Sequence, residues 1–118
     1  MTTPVEGTIE ALQDLVETNR KAREVLALAE EESLRSIAEL EAGVAVSTIV
    51  QRVQPGGYRR SIQDALDAVG AARHRYRLEA IAACIEDGMT PREIAEAWGI
   101  SRQRVDQFVQ ERRRTTES

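Results

Sequence analysis

Few of the residues from which small proteins build chemical sites occur in this chain. It has one cysteine, Cys84, and one histidine, His74, in 118 residues. A lone cysteine permits no internal disulfide, and with a single histidine it leaves no ligand set for an all-protein zinc site. Aromatic residues are also scarce: Tyr58, Tyr76, Trp98 and Phe108. The core must therefore come from Leu, Ile, Val and Ala, which suits packed helices. No apolar run approaches the ~20 residues of a membrane span. The opening residues lack the charged, apolar, small-residue order of a signal peptide. These absences lead us to expect a cytoplasmic, reducing setting and no membrane partner. No Ser/His/Asp set, glycine-rich phosphate loop or metal-ligand spacing appears. The chain does not read as an enzyme, and it calls for no cofactor.

What the sequence does have is charge, unevenly placed. The net charge is −4. Residues 1–57 carry five basic and ten acidic side chains, whereas residues 58–118 carry eleven and ten. Between Gly99 and Arg114 five arginines face only Asp106 and Glu111. An acidic first half would be repelled by phosphate, and a basic stripe near the end would be drawn to it.

Apolar periodicity organises the first half. Residues 1–5 read as a loose tail. Ile9, Leu12, Leu15 and Val16 recur at helical spacing, and Val25, Leu26, Ala29, Leu34, Ile37 and Leu40 continue it. One long helix, or two in series, should end near Gly43, since glycine accepts a left-handed backbone without a Cβ penalty. Val46, Ile49, Val50 and Val53 are β-branched, but their 3–4 spacing favours a short helix. Gln54-Pro55-Gly56-Gly57 is the strongest breaker and reads as a sharp inter-helix turn. Ser61 with Asp64 reads as the next helix start. Ile62, Leu66, Val69, Ala72, Tyr76, Ala80, Ala83 and Cys84 mark one face of a helix to about Asp87, with Gly70 inside it. A faint echo relates Leu34–Val44 to Arg92–Ile100, but the plain reading is a helix stopping at a glycine.

The most informative stretch runs from Met89 to Val109. Thr90 can cap a helix, Pro91 is pre-set for its first position, and Glu93 completes a capping box. Ile94 and Ala95 point inward, alanine because a second helix crosses close by. Trp98 closes the core, Gly99 relieves the turn, and Ile100 plugs the space between helices. Ser101 caps the next helix, which Val105, Phe108 and Val109 pack down. A short helix, a glycine turn and a second helix form the helix-turn-helix layout, whose second helix can enter the DNA major groove. The first helix of the trihelical unit would span about Tyr76 to Asp87.

The stretch Leu78–Gln110 resembles helix-turn-helix segments of bacterial transcription regulators, of the last DNA-binding region of sigma-70-type factors, and of resolvase C-terminal domains. The arginine-rich Ala71-Ala72-Arg73-His74-Arg75-Tyr76-Arg77-Leu78 resembles small actinobacterial helix-turn-helix proteins. The resemblance implies double-stranded DNA as partner. Outward side chains suited to base edges are Arg102, Gln103, Asp106, Gln107 and Gln110, with Ser101 at the helix tip. Arg104, Arg112, Arg113 and Arg114 suit phosphates, as do the backbone amides at the Thr90 and Ser101 helix starts.

The expected fold is all-α: a helical N-terminal region over residues 1–57, for dimerisation or partner binding, and a long helix plus helix-turn-helix over 58–118. The expected function is a DNA-binding transcriptional regulator, homodimeric through its N-terminal helices. The competing readings are a protein-interaction adaptor or anti-activator that keeps the motif as a scaffold, and a sequence-tolerant nucleoid-associated protein. The sequence names no small-molecule effector. Cys84 reads as an inert core thiol, His74 as a partly packed side chain, and Glu30-Glu31-Glu32 as a solvated face.

Overall fold

The computed structural model describes residues 2–117, which form five helices and, among the described residues, no strand. In order they are α1 (Pro4–Glu41), α2 (Val46–Val53), α3 (Pro55–Glu86), α4 (Pro91–Trp98) and α5 (Arg102–Glu117). The all-α expectation holds. None of these helices is long and apolar enough to cross a membrane.

The chain divides into two compact units. One takes the residues up to Val16 and those from Ala71 onward; the other is Glu17–Gly70. The division therefore falls inside α1 and α3.

α1 is a single helix of 38 residues, and it begins earlier than the periodicity indicated. Of residues 1–5, read as a loose tail, Thr3 caps the helix and Pro4 and Val5 lie within it. Thr3 Oγ1 accepts from the Glu6 amide at 3.1 Å, and Glu6 Oε2 accepts from the Thr3 amide at 3.3 Å. That reciprocal pair, with Pro4 at the first helical position, is a capping box. α3 also starts earlier than expected, at Pro55 rather than near Ser61. The reversal is made by Gln54, left-handed at φ 55°, so the two glycines that follow lie in the first helical turn. The Gly57 amide donates to the Gln54 carbonyl at 3.0 Å.

In the first unit the core is Ile81, Ile94, Ala95, Val105 and Phe108. Leu78, Cys84, Met89, Trp98, Ile100 and Val109 pack against it while partly exposed. The α1 segment of this unit turns Pro4, Gly7 and Ala11 inward, and leaves Val5, Ile9, Leu12 and Val16 between 41% and 56% exposed. Small residues hold the inner face of this segment, and the large apolar stripe is left exposed. Gly7 marks the close approach, because a Cβ there would meet the Glu79 carboxylate.

In the second unit only Ala22 and Ile49 are buried. Arg52 ties α2 to α1 through Glu32 at 2.8 Å and Glu39 at 3.0 Å. Burial opposes the Arg52 charge, but the Glu32 carboxylate beside it and a hydrogen bond to Glu39 outweigh that and raise its pKa. Glu30 and Glu31 are exposed, so of the three consecutive glutamates only Glu32 is drawn into structure.

Candidate nucleic-acid interface

Local chemistry fixes the start of α4. The Glu93 amide donates to Thr90 Oγ1 at 3.2 Å, and the Thr90 amide donates to Glu93 Oε1 at 2.9 Å. Pro91 occupies the first position, where its missing N–H costs nothing. The hydrogen bonds from the Thr90 backbone and side chain hold the Glu93 carboxyl below the usual carboxylate range. After eight residues the helix stops at Gly99, left-handed at φ 67°, whose amide returns to the carbonyls of Ala95 and Glu96. Ser101 then starts α5, its Oγ accepting from the Arg104 amide at 3.0 Å.

Ile94 and Ala95 on α4 and Val105 and Phe108 on α5 are all at most 6% exposed. They lock the two short connections into a helix-turn-helix against α3. Trp98 packs against Tyr76 with ring centroids 5.4 Å apart and planes tilted by 50°, and the His74 and Phe108 ring centroids are also 5.4 Å apart. His74 Nε2 also meets Glu111 Oε2 at 2.5 Å, so this half-buried histidine has a partner on each side. Cys84 is partly buried against the same core.

Because Val105 and Phe108 point inward, the outer face of α5 follows from helical geometry. Arg102, Gln103, Arg104, Asp106, Gln107 and Gln110 are all exposed, with Ser101 at the tip and Arg113 and Arg114 beyond. Gln103, Gln107, Gln110 and Arg114 recur at one-turn spacing and so form a single polar stripe. Two arginines stand apart from the rest. Arg104 lies 4.5 Å over the Phe108 ring and donates to Gln107 Oε1 at 3.0 Å, which places it on the flank of the stripe. Arg112 is half-buried and donates to Glu79 Oε2 at 3.1 Å, so its guanidinium braces α5 on α3. The sequence had grouped it with the phosphate contacts, since tertiary pairing with a residue 33 positions away leaves no local signal.

Such an arrangement offers hydrogen-bond donors and acceptors on a helix clear of its own core, flanked by cations. Residues 71–114 match the homeodomain-like domain family. No curated protein and no solved structure matches the chain. The match covers the second part of α3, α4 and most of α5, the segments that carry the geometry above, and a helix-turn-helix domain is therefore present at the C-terminal end. Among the described residues no group of acidic, histidine or cysteine side chains is placed to hold a metal ion.

Proposed function

We propose that this protein is a homodimeric, sequence-specific DNA-binding regulator of transcription that docks α5 in the major groove. The observation that carries the reading is the face of α5. A buried row made by Val105 and Phe108 is backed by an exposed row of Gln103, Asp106, Gln107 and Gln110. Glutamine can pair bidentately with adenine, Arg102 with guanine, and Asp106 can accept from cytosine. Arg113 and Arg114, exposed and beyond this row, suit backbone phosphate. Ser101 and Thr90 open the two helices, whose first amides suit the same anion.

The dimer part of the proposal is supported by α1. Val5, Ile9, Leu12 and Val16 follow a 4–3–4 spacing and are exposed, an unpartnered seam of the kind that helices bury against each other. Two copies would present two recognition helices to half-sites about 34 Å apart. A second reading, an interaction adaptor with the motif as scaffold, is favoured by the net charge of −4. Titrating salt against a random DNA duplex separates the two. Docking predicts binding that weakens steeply as salt rises, through release of counterions. An absence of binding at low salt would favour the adaptor. Light scattering at micromolar concentration should give twice the chain mass, falling to one chain in Ile9→Glu/Leu12→Glu.

A further inference from the structure

The turn that leads into the helix-turn-helix occurs twice. Gly88 is left-handed at φ 95°, and forty-five positions earlier Gly43 is left-handed at φ 91°. The Met89 amide donates to Cys84 at 3.0 Å, and the Val44 amide donates to Glu39 at 2.9 Å. The amides of Gly88 and Gly43 each reach the carbonyl three residues back at 3.0 Å. Helices of eight residues follow, α4 and α2, each with a buried isoleucine at the same place, Ile94 and Ile49. Both end on a left-handed residue, Gly99 and Gln54. Only then do the units part: α3 starts at once on Pro55, whereas α5 waits until Arg102.

This correspondence exposes a difference in filling. In the first unit, Leu78, Ile81 and Trp98 belong to the packed core or lie against it. Their counterparts forty-five positions earlier are Ser33, Ser36 and Val53, each smaller, and all three line an open hollow of about 390 Å³. The other walls are mainly apolar, from Ile37, Tyr58 and Ile62 among others, and Glu32 adds a carboxylate. Glu32 Oε1 is buried and makes no hydrogen bond of good geometry, although Arg52 Nη1 stands 2.8 Å away as its ion-pair partner. An apolar concavity of a few hundred Å³ with a small number of polar groups is the usual form of a small-molecule site.

We infer that this hollow is a binding site for a small aromatic or branched aliphatic molecule carrying one hydrogen-bond donor. The apolar body takes the place that Leu78, Ile81 and Trp98 fill in the first unit, and the donor meets Glu32. The inference does not depend on DNA binding.

The test uses the full chain, ¹⁵N-labelled, titrated with indole as probe and with indene, which has the same shape but no N–H. Indole should shift the amide resonances of residues 29–37 and 53–62 saturably, with Kd on the order of 0.1–1 mM for a fragment of that size. Indene should bind several-fold more weakly. Ser33→Leu/Ser36→Ile, which installs the side chains of the first unit, should weaken indole at least ~10-fold while raising the melting temperature. Three results would overturn the site itself, and a fourth its ligand class. One is the absence of saturable shifts with either probe. Another is indole binding that survives the double substitution in a folded chain. The third is movement of the same resonances with protein concentration alone, which would mean that a second copy fills the hollow. Equal affinity for indole and indene would remove Glu32 as the donor's partner and so refute the ligand class.

Discussion

Ile94→Ala tests the packing that holds α4 and α5 in position. Ile94 is 0% exposed and surrounded by Ile81, Val105 and Phe108. Truncation removes three carbons, about 2.4 kcal/mol of transfer free energy at ~0.8 kcal/mol per methylene. Helices pinned by two short connections relax only partly, so the residual cavity adds on the order of 1–2 kcal/mol. The expected loss is ~4 kcal/mol, toward the upper part of the range for buried isoleucine. At ~4–8 °C per kcal/mol for a small domain, the melting temperature should fall by ~15–30 °C. Trp98, the only tryptophan, packs against this core, so its fluorescence in urea reports the right unit. Val109→Ala, at a partly exposed position beside the same core, should cost only ~1 kcal/mol. A loss below ~1 kcal/mol for Ile94→Ala, with an unchanged denaturant slope, would refute the assignment of Ile94 to a closed core.

Thr90→Ala should cost ~1 kcal/mol through loss of the α4 cap, and a carbon-detected titration should find the Glu93 carboxyl raised only part of the way back, because the backbone amide at position 90 still donates to it. The Glu93 pKa is lowered by folding, so its stabilisation is present above the unfolded value of ~4.3 and is lost as pH falls through the lowered one; a flat acid limb of the wild-type stability curve beside a sloped one in the variant would contradict this. Gly99→Ala should cost ~1–2 kcal/mol from left-handed backbone alone, because a Cβ there meets nothing within 4 Å; a neutral effect in a thermal melt would show that the turn relaxes. Arg112→Ala should lower stability by ~1–2 kcal/mol by removing the Glu79 partner, with little change in the salt dependence of DNA binding, whereas Arg113→Ala should lower the salt slope by ~1 and leave stability alone. Gln103→Ala should cost ~1–3 kcal/mol on a preferred site and relax base choice there, and equal loss on all duplexes would assign it to phosphate instead.

The C-terminal motif was legible because each of its residues has a local reason to be where it is. Thr90 and Glu93 cap, Gly99 takes φ 67°, Ser101 caps again, and Ile94, Ala95, Val105 and Phe108 are buried as their spacing required. The N-terminal half was harder to read. Thr3-Pro4-Val5-Glu6 repeats the Thr90-Pro91-Arg92-Glu93 cap and could have placed the start of α1. Gln54-Pro55-Gly56-Gly57 reads as a sharp turn, and the reversal falls on its first residue, Gln54, a residue type that seldom adopts φ > 0. The inner face of α1 carries no such signal. Periodicity marks the stripe of large apolar residues, but α1 buries Gly7, Ala11 and Ala22 and exposes Ile9, Leu12 and Leu26. Small residues let helix backbones approach closely, and no single-sequence pattern reveals which of two apolar faces takes the intramolecular neighbour. At the candidate interface, the exposed row of α5 was readable, but the pairing of Arg112 with Glu79 was not, because it depends on how α5 lies on α3.

The central claim is that two α5 helices read DNA together. Selection of bound sequences from a random duplex pool, using the full chain, tests it most directly. The account predicts a palindromic consensus whose half-sites are centred one helical turn, about 10 base pairs, apart or a multiple of it. Recovery of a pool indistinguishable from the starting one, or no recovery at low salt, would contradict it.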